Sequence, residues 1–225
     1  NQMEGQTFFE KLIHKAGINE ASSLSVRFRR KFLKDMIKER LLNNDQIRVS
    51  SIACGPAKEI VDLISDISSE DLSRITFVLV DQEPEALLNA KREILSQCLK
   101  EEKTIRIEFI PWDIRHIIEG NLPDVLAEGN FDLIYSAGLF DYLLEGTAKL
   151  LSINLLEQTK KGGKLLIGNF HPDNPTKTIS EFSVNWKLFH RTEEDMLRLI
   201  PDASVAKKNL IFDTEKIEIF IEAIK

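Results

Sequence analysis

Small or polar residues follow five apolar, strand-like runs of the sequence, at the points where each run ends. The segments are Ala53-Cys54-Gly55-Pro56-Ala57, Asp81-Gln82-Glu83, Pro111-Trp112-Asp113, Tyr135-Ser136-Ala137-Gly138 and Asn169-Phe170-His171. Because the carboxyl ends of parallel strands form one edge of a sheet, a ligand bound at that edge would meet all five segments.

These residue types suit a nucleoside. Small residues after the first and fourth runs let the backbone approach a ligand closely. Asp81 is placed to accept hydrogen bonds from a ribose diol, and Trp112 offers a flat apolar face beside Asp113, an acceptor for an exocyclic amine. Taken singly, Gly55 is a turn glycine, Asp81 and Asp113 are helix caps and Trp112 is core. Their order along one sheet edge favours the nucleoside interpretation.

The elements that would position these residues alternate along the chain. We predict strands at residues 47–53, 75–80, 105–110, 131–135, 164–169, 204–210 and 216–224. Helices are predicted at residues 57–67, 84–100, 113–127 (interrupted by Pro123), 144–160 and 192–199. Alternation of this kind indicates a doubly wound α/β domain with a mostly parallel seven-stranded sheet. A short connection joins the last two strands and predicts an antiparallel pair at one edge.

The first 45 residues read as helix, with apolar residues at helical spacing in residues 7–16 and from Ser22 or Ser23 to Leu42. We predict a helical cap over residues 1–45 and an α/β domain over 46–225. The second helix carries a basic run, Arg27 to Lys34. A solvated helix face is the preferred interpretation of that run, and an anion-facing lid over a substrate is the alternative.

Composition excludes several classes of protein. Thirty Lys and Arg against 36 Asp and Glu give a net charge of −6, which argues against general affinity for nucleic acid. No apolar run reaches the roughly 18 residues of a membrane-spanning helix. Two cysteines are too few for a disulfide framework and indicate a reducing, cytoplasmic compartment. The four histidines lack ligand spacing, so we expect no metal site.

Residue 1 is Asn rather than Met, so we expect a trimmed or partial chain. An upstream fused domain and the oligomeric state stay open at this point.

Five segments carry a resemblance to a known family. SSIACGPAKEI, LVDQEPEAL, IPWDI, FDLIYSAGLFDYL and GGKLLIGNF resemble the ordered motifs of class I S-adenosylmethionine-dependent methyltransferases, over roughly residues 47–225. GNFHPDNP and NWKLFHRTEEDM are similar to a bacterial branch that includes proteins for extracellular-factor hydroxy fatty acid methyl ester biosynthesis. The resemblance implies a Rossmann-like methyltransferase fold and S-adenosyl-L-methionine as cofactor.

The resemblance also implies roles for single residues. Ala53, Cys54, Gly55 and Ala57 would line the methionine portion, with Cys54 contributing backbone only. Asp81 would take the ribose hydroxyls, Gln82 would also be cofactor-binding, and Trp112, Asp113 and Ile114 would frame the adenine. Ser136, Ala137 and Gly138 would border the methyl-transfer centre. The sequence departs from the family in having Ser50-Ser51 in place of an acidic residue in the first strand, and a single glycine in the loop after it.

The acceptor should lie between the helical cap and the segments after strands four and five. Our candidates for binding it are Phe140, Asp141, Tyr142, Asn169, His171, Trp186, His190 and Arg191. A carboxylate acceptor, such as a hydroxy fatty acid, needs no general base and would be positioned by Arg191 or a cap arginine. A hydroxyl or amine acceptor would use His171 or Asp141 as base. Plainer interpretations are a surface His171, a packing Trp186 and an ion-paired Arg191.

Two other functions stay open from the sequence. One is a non-catalytic module that senses S-adenosylmethionine or a nucleoside within a larger protein. The other is a nucleotide-dependent oxidoreductase, which the single glycine of the loop disfavours because a pyrophosphate on a helix N-terminus needs close backbone approach.

Overall fold

Seven strands form the centre of the molecule. In the computed structural model, which describes residues 6–18 and 20–225, their bounds are β1 Ile47–Ile52, β2 Ile75–Asp81, β3 Arg106–Pro111, β4 Phe131–Ala137, β5 Thr159–Phe170, β6 Lys207–Phe212 and β7 Glu218–Ile224. They form one sheet in the order β3-β2-β1-β4-β5-β7-β6. Strands β1 to β5 are parallel, and β7 runs antiparallel to both β5 and β6. The predicted fold class is confirmed, including the antiparallel pair at one edge.

Ten α-helices are assigned in the described part of the chain. Their bounds are α1 Phe8–Ile18, α2 Ala21–Leu42, α3 Lys58–Asp66, α4 Ser69–Ser73, α5 Pro84–Lys100, α6 Ile114–Ile118, α7 Asp124–Ala127, α8 Glu145–Gln158, α9 Lys177–Val184 and α10 Glu193–Arg198. Pro84 begins α5 because a proline at the first helical position loses no hydrogen bond there. Thr192 caps α10 in a reciprocal capping box with Asp195.

Three elements differ from the sequence-based prediction. The helices α4 and α9 were not predicted, because five and eight residues are too few to display a helical period. Strand β5 starts five residues before the predicted residue 164. Its early part contains Gly163, where a Cβ would lie 2.7 Å from the Phe131 carbonyl oxygen, so only glycine fits this irregular pairing with β4.

Two apolar clusters cover the two faces of the sheet. One combines α2, α3 and α5 with strand residues such as Val49, Phe77 and Leu79. The other combines α6, α8 and α10 with the alternate residues Val78 and Val80. Because successive side chains of a strand point to opposite faces, β2 can be apolar throughout and bury both sets.

Helix α2 is tied to the sheet by buried polar contacts as well as by its apolar face. Lys164 Nζ on β5 lies 2.9 Å from Glu39 Oε1 of α2 and 2.6 Å from Glu222 Oε1 of β7. Near the start of α2, Ser22 Oγ accepts a hydrogen bond from Asn174 Nδ2 in the loop after β5, at 3.1 Å. These contacts fix the last part of α2 beside the middle of β5 and its first part beside the loop that follows β5.

Candidate active site at the carboxyl edge of the sheet

A cavity of about 380 Å³ opens where the strand order reverses between β1 and β4. This is the position at which open α/β sheets bind their ligands. Its walls are α2, the loop after β1, the first turn of α3 and the end of β4. The lining residues are Val26, Arg27, Arg29, Arg30, Leu33, Ser51, Ala53, Cys54, Gly55, Pro56, Ala57, Lys58, Glu59, Tyr135 and Ala137.

The loop after β1 has an unusual backbone. Ala53, Gly55 and Ala57 have φ angles of 53°, 52° and 45°, so two non-glycine residues occupy the left-handed region. Such residues are uncommon and cluster at ligand-binding sites, where surrounding contacts hold them. The Gly55 N–H donates to Asp81 Oδ2 at 2.8 Å, and the Cys54 N–H donates to the Val80 carbonyl at 3.1 Å. The end of β2 therefore fixes this loop.

Cys54 faces the cavity as a neutral thiol. Burial raises its pKa far above the ordinary value, and the nearby carboxylates of Asp81 and Glu59 raise it further. A protonated, buried thiol is a poor nucleophile. This agrees with the prediction that Cys54 contributes backbone rather than thiol chemistry.

Asp81 is buried at the end of β2, where both carboxylate oxygens accept backbone hydrogen bonds. Oδ2 accepts from Gly55 and Oδ1 from Glu83, at 2.8 and 3.0 Å. Each oxygen keeps a further lone pair for a ligand. Gln82 is exposed beside it. The ribose-binding role of Asp81 and the cofactor-binding role of Gln82 remain predictions.

The segment after β3 contains the predicted adenine-framing residues. The Trp112 N–H donates to the Asp81 carbonyl at 3.0 Å, and its Nε1 donates to the Asn121 carbonyl at 3.1 Å. Asp113 caps α6 and pairs with Arg115, whose hydrogen bonds lower the pKa of Asp113 to about 2. Ile114 is buried. The cap interpretation of Asp113 is confirmed, while the adenine role of these residues stays a prediction.

The end of β4 meets α2 at Gly138. Ser136 is buried and donates from Oγ to the Ile52 carbonyl at 2.9 Å, and Ala137 lines the cavity. Gly138 has φ 101°, and a Cβ on it would lie 3.1 Å from Arg29 Nη1. Arg29 Nη1 lies 3.2 Å from Glu218 Oε1, and Ser25 Oγ donates to Glu218 Oε2 at 3.1 Å. The Arg29 guanidinium is thus held between the end of β4 and the start of β7.

The basic run of α2 has two environments. Lys31 is exposed, in agreement with the preferred solvated-face interpretation, whereas Arg27 and Arg30 are exposed and also line the cavity. That interpretation is wrong for Arg29, whose side chain is 19% exposed and points at the carboxyl edge of the sheet.

Glu59 and Tyr135 form a buried pair in the cavity. Tyr135 Oη donates to Glu59 Oε1 at 2.7 Å. Burial raises the pKa of both groups, and the Arg29 and Arg30 guanidiniums oppose that rise for Glu59. Sequence reasoning included Tyr135 only in the segment after the fourth strand and Arg29 only in the basic run, and it did not name Glu59 or Glu218. One signal for Glu59 was present, since it stands in the first turn of a helix four residues after Gly55.

Four of the predicted acceptor-site residues form a buried layer beside the end of β5. Arg191 Nη1 donates to the Phe140 carbonyl at 2.6 Å and to Asn169 Oδ1 at 2.5 Å, and its Nη2 donates to the Leu143 carbonyl. Asp141 Oδ1 accepts from the Phe170 N–H at 2.8 Å. Burial raises the pKa of Asp141 to about 7. Arg191 therefore connects the segment after β4 to the end of β5 through its hydrogen bonds.

The other four predicted acceptor-site residues lie near Phe170 at the end of β5. They are Tyr142, His171, Trp186 and His190. Trp186 Nε1 donates to Tyr142 Oη at 2.7 Å, and the Trp186 and His190 rings lie 6.0 and 6.4 Å from the Phe170 ring. His171 Nε2 lies 3.2 Å from Glu193 Oε2. The structure brings these residues together, but the described residues that line the 380 Å³ cavity include none of the eight predicted acceptor residues.

Residues 6–18 and 20–225 hold neither a metal-binding cluster nor a membrane-spanning helix. No group of three or more His, Cys, Asp or Glu side chains in this part of the chain is arranged to hold a metal ion. Among the same residues no helix combines the length and the apolar character needed to cross a membrane.

Comparison with known proteins identifies relatives of this domain. Residues 43–216 match the family described as "Methyltransferase domain". A comparison with curated protein sequences found no match. Among solved structures, a possible exported protein from Bordetella parapertussis superposes with a TM-score of 0.77 at 18% identity, over 100% of this chain and 76% of the other.

Two further solved structures are enzymes that were crystallised with S-adenosylhomocysteine. Magnesium protoporphyrin IX methyltransferase from Synechocystis PCC 6803 has a TM-score of 0.64 at 12% identity, covering 99% of this chain and 89% of the other. An N-methyltransferase from Bradyrhizobium japonicum WM9 has a TM-score of 0.56 at 14% identity, covering 91% and 88%. At these identities the likeness establishes the shared fold.

Proposed function

The chain belongs to the methyltransferase-domain family, and from this premise we propose that it transfers a methyl group from S-adenosylmethionine to a carboxylate of a small-molecule acceptor. The enzyme class and the methyl donor follow from the family. The part that we propose is the identity of the acceptor as a carboxylate. The methyltransferase function takes the place of the two alternatives raised by the sequence, a sensing module and an oxidoreductase.

The residues at the carboxyl edge of the sheet suit the donor. Small side chains at Ala53, Gly55 and Ala57 leave the loop backbone open to the cavity. Asp81 stands beside that loop, with lone pairs for a ribose diol. Bound there, S-adenosylmethionine supplies an activated methyl group on a sulfonium. The protein's task is to align a nucleophile with that carbon.

The position of Arg29 is the observation that supports a carboxylate acceptor. Its guanidinium lies against Gly138 at the end of β4, which we predict to border the methyl-transfer centre. Arg27, Arg30 and Lys58 also line the cavity, with Arg30 paired to Asp62 and Lys58 to Glu93. A guanidinium can hold a carboxylate by two parallel hydrogen bonds, and cations on the wall disfavour an amine. An anionic acceptor is therefore favoured over a polyamine.

A carboxylate acceptor also simplifies the chemistry that the side chains must perform. It is ionised at neutral pH and attacks without losing a proton, so no general base is needed. Arg29 would orient the carboxylate and neutralise its charge on approach, while the Glu218 contact fixes the guanidinium. In this proposal His171 and Arg191 act by positioning the loops around the site, through Glu193 and the Phe140 carbonyl.

A hydroxy fatty acid is the finer form of the proposal. It is supported by the resemblance of GNFHPDNP and NWKLFHRTEEDM to that bacterial branch. An exposed apolar side chain on α2 adds support, because Val26 lines the cavity and is 39% exposed. An acyl chain leaving the cavity beside α2 would cover it, and burying each methylene stabilises binding by about 0.8 kcal/mol.

The test is a methyl-transfer assay with labelled donor and straight-chain carboxylic and hydroxy acids of increasing length. We expect carboxylic acids to be methylated, with KM falling as the chain lengthens. Arg29→Met should raise the acceptor KM roughly tenfold or more, because a charged hydrogen bond contributes about 1.5–3 kcal/mol. The affinity for S-adenosylhomocysteine should stay within about threefold, since Arg29 is not assigned to the donor.

Lys31→Met is the matched control, because it removes a positive charge from an exposed position of the same helix. It should leave both constants unchanged. Methylation of amines or alcohols in preference to every acid would overturn the carboxylate assignment.

A further inference from the structure

The charges that line the cavity are unevenly distributed. Among its described lining residues, Glu59 carries the only carboxyl group, while Arg27, Arg29, Arg30 and Lys58 carry positive charge. Glu59 lies in the first turn of α3, directly after the left-handed loop, and is only 8% exposed. The cavity therefore combines one buried acid on its loop side with several cations.

Two observations place Glu59 on the loop side of the cavity. Tyr135 Oη, from β4, donates to Glu59 Oε1 at 2.7 Å. Glu59 also follows Ala57, the last left-handed residue of the loop, by two positions and lines the cavity together with Cys54. Asp81 holds the same loop from β2 by accepting from the Gly55 N–H at 2.8 Å.

A carboxyl group at this position is costly for the fold alone. Burial raises the pKa of Glu59, which means that the surrounding protein disfavours its charge. A glutamine would accept the same hydrogen bond from Tyr135 without that cost. A ligand cation that enters the cavity would make the ionised form favourable.

We propose that Glu59 binds the α-ammonium group of the methionine tail of S-adenosylmethionine, and that Tyr135 holds the Glu59 carboxylate in position. This inference rests on the donor assigned under the proposed function. The tail carries an ammonium group, and Glu59 is the only carboxyl group among the described residues that line the cavity. Ser50 and Ser51 on β1 supply no charge there, which leaves α3 to provide the acid.

Three ligands without a sulfonium separate the contributions to binding. S-adenosylhomocysteine has the ammonium and the carboxylate, its decarboxylated form S-adenosyl-3-thiopropylamine has the ammonium alone, and 5′-methylthioadenosine has neither. Titration calorimetry with Glu59→Gln should show an affinity loss of roughly tenfold or more for the first two ligands. The affinity for 5′-methylthioadenosine should stay within about twofold.

Two further variants complete the experiment. Tyr135→Phe keeps the carboxylate but removes its hydrogen bond, and should weaken the same two ligands by a smaller factor, even if Glu59→Gln fails to fold. Glu70→Gln makes the same substitution at an exposed position on α4, and should change nothing. Melting temperatures without ligand check that each variant is folded.

Several outcomes would overturn the inference. An equal loss for all three ligands would mean that Glu59 shapes the cavity only. An unchanged affinity for S-adenosylhomocysteine with weakened binding of S-adenosylmethionine would assign Glu59 to the sulfonium instead. Failure of the wild-type chain to bind any of the three ligands would overturn the donor assignment, and this inference with it.

Discussion

Arg29 and Gly138 are in contact across the site: the arginine Nη1 lies 3.1 Å from the point where a Cβ on Gly138 would stand. The absence of a side chain at the end of β4 leaves room for a guanidinium from α2. Because Arg29 also pairs with Glu218 of β7, this one side chain links α2, β4 and β7 at the carboxyl edge of the sheet.

Gly138→Ala should displace Arg29 and impair acceptor binding. We expect a severalfold rise in the acceptor KM together with a stability loss of about 1–2 kcal/mol, because φ 101° is unfavourable for alanine. The control is Gly120→Ala, at φ 82° with no atom within 4 Å of the added Cβ. It should lose stability without a change in KM. Equal KM values for the two variants would contradict the role given to Arg29.

Arg191→Lys should lower stability rather than acceptor affinity. The buried guanidinium donates to Asn169 Oδ1 and to the Phe140 and Leu143 carbonyls, and a lysine cannot reach all three. Unsatisfied buried acceptors cost about 1–3 kcal/mol each, so denaturant unfolding should show a loss of roughly 2–4 kcal/mol. Arg198→Lys, at an exposed ion pair on α10, is the control. A raised acceptor KM at unchanged stability would return Arg191 to the substrate site.

Asp81→Asn should weaken every adenosyl ligand, including 5′-methylthioadenosine. An amide cannot accept from both Gly55 and Glu83 without directing its NH₂ group at one of these N–H donors, so the loop after β1 would lose an anchor. We expect at least a tenfold loss of affinity in calorimetry, of the size that a charged hydrogen bond provides. Asp124→Asn, exposed on α7, should have no effect. Unchanged affinity would remove Asp81 from the donor site.

The fold was predictable from the sequence because local patterns determine most of it. The apolar run of β2, the proline that begins α5 and Pro123 between α6 and α7 each mark an element or its boundary. Elements without such a mark were missed. Helix α4 depends on a single cap, Ser68, and the early part of β5 depends on glycines whose reason lies on the neighbouring strand.

The site was predictable where it follows strand ends, and less so where it depends on contacts between distant segments. Cys54, Gly55 and Ala137 line the cavity as the strand-end argument predicts. Arg29 was hidden within a run of basic residues, since only the crossing of α2 over Gly138 distinguishes it from Arg30. The acceptor role of Arg191 and His171 was inferred from residue type, but their observed partners are protein groups.

Asp141 should make stability depend on pH. Its pKa is about 7 in the folded chain, against an ordinary value of 3.8, because burial disfavours the charge. The folded state therefore retains a proton that the unfolded state releases, and stability falls as pH rises from about 4 to about 7. Over that range the difference in unfolding free energy, Asp141→Asn minus wild type, should rise by up to about 4 kcal/mol. A difference independent of pH would show that Asp141 is ionised in the fold.

The pairing of Arg29 with Glu218 has a kinetic consequence, because the two residues are 189 positions apart. Contacts of such long sequence separation close late, after local structure has formed. Glu218 begins β7, which inserts between β5 and β6 and runs against both. A refolding chain should therefore regain its helical circular dichroism first. It should regain catalytic turnover only when β7 has paired with β5 and β6.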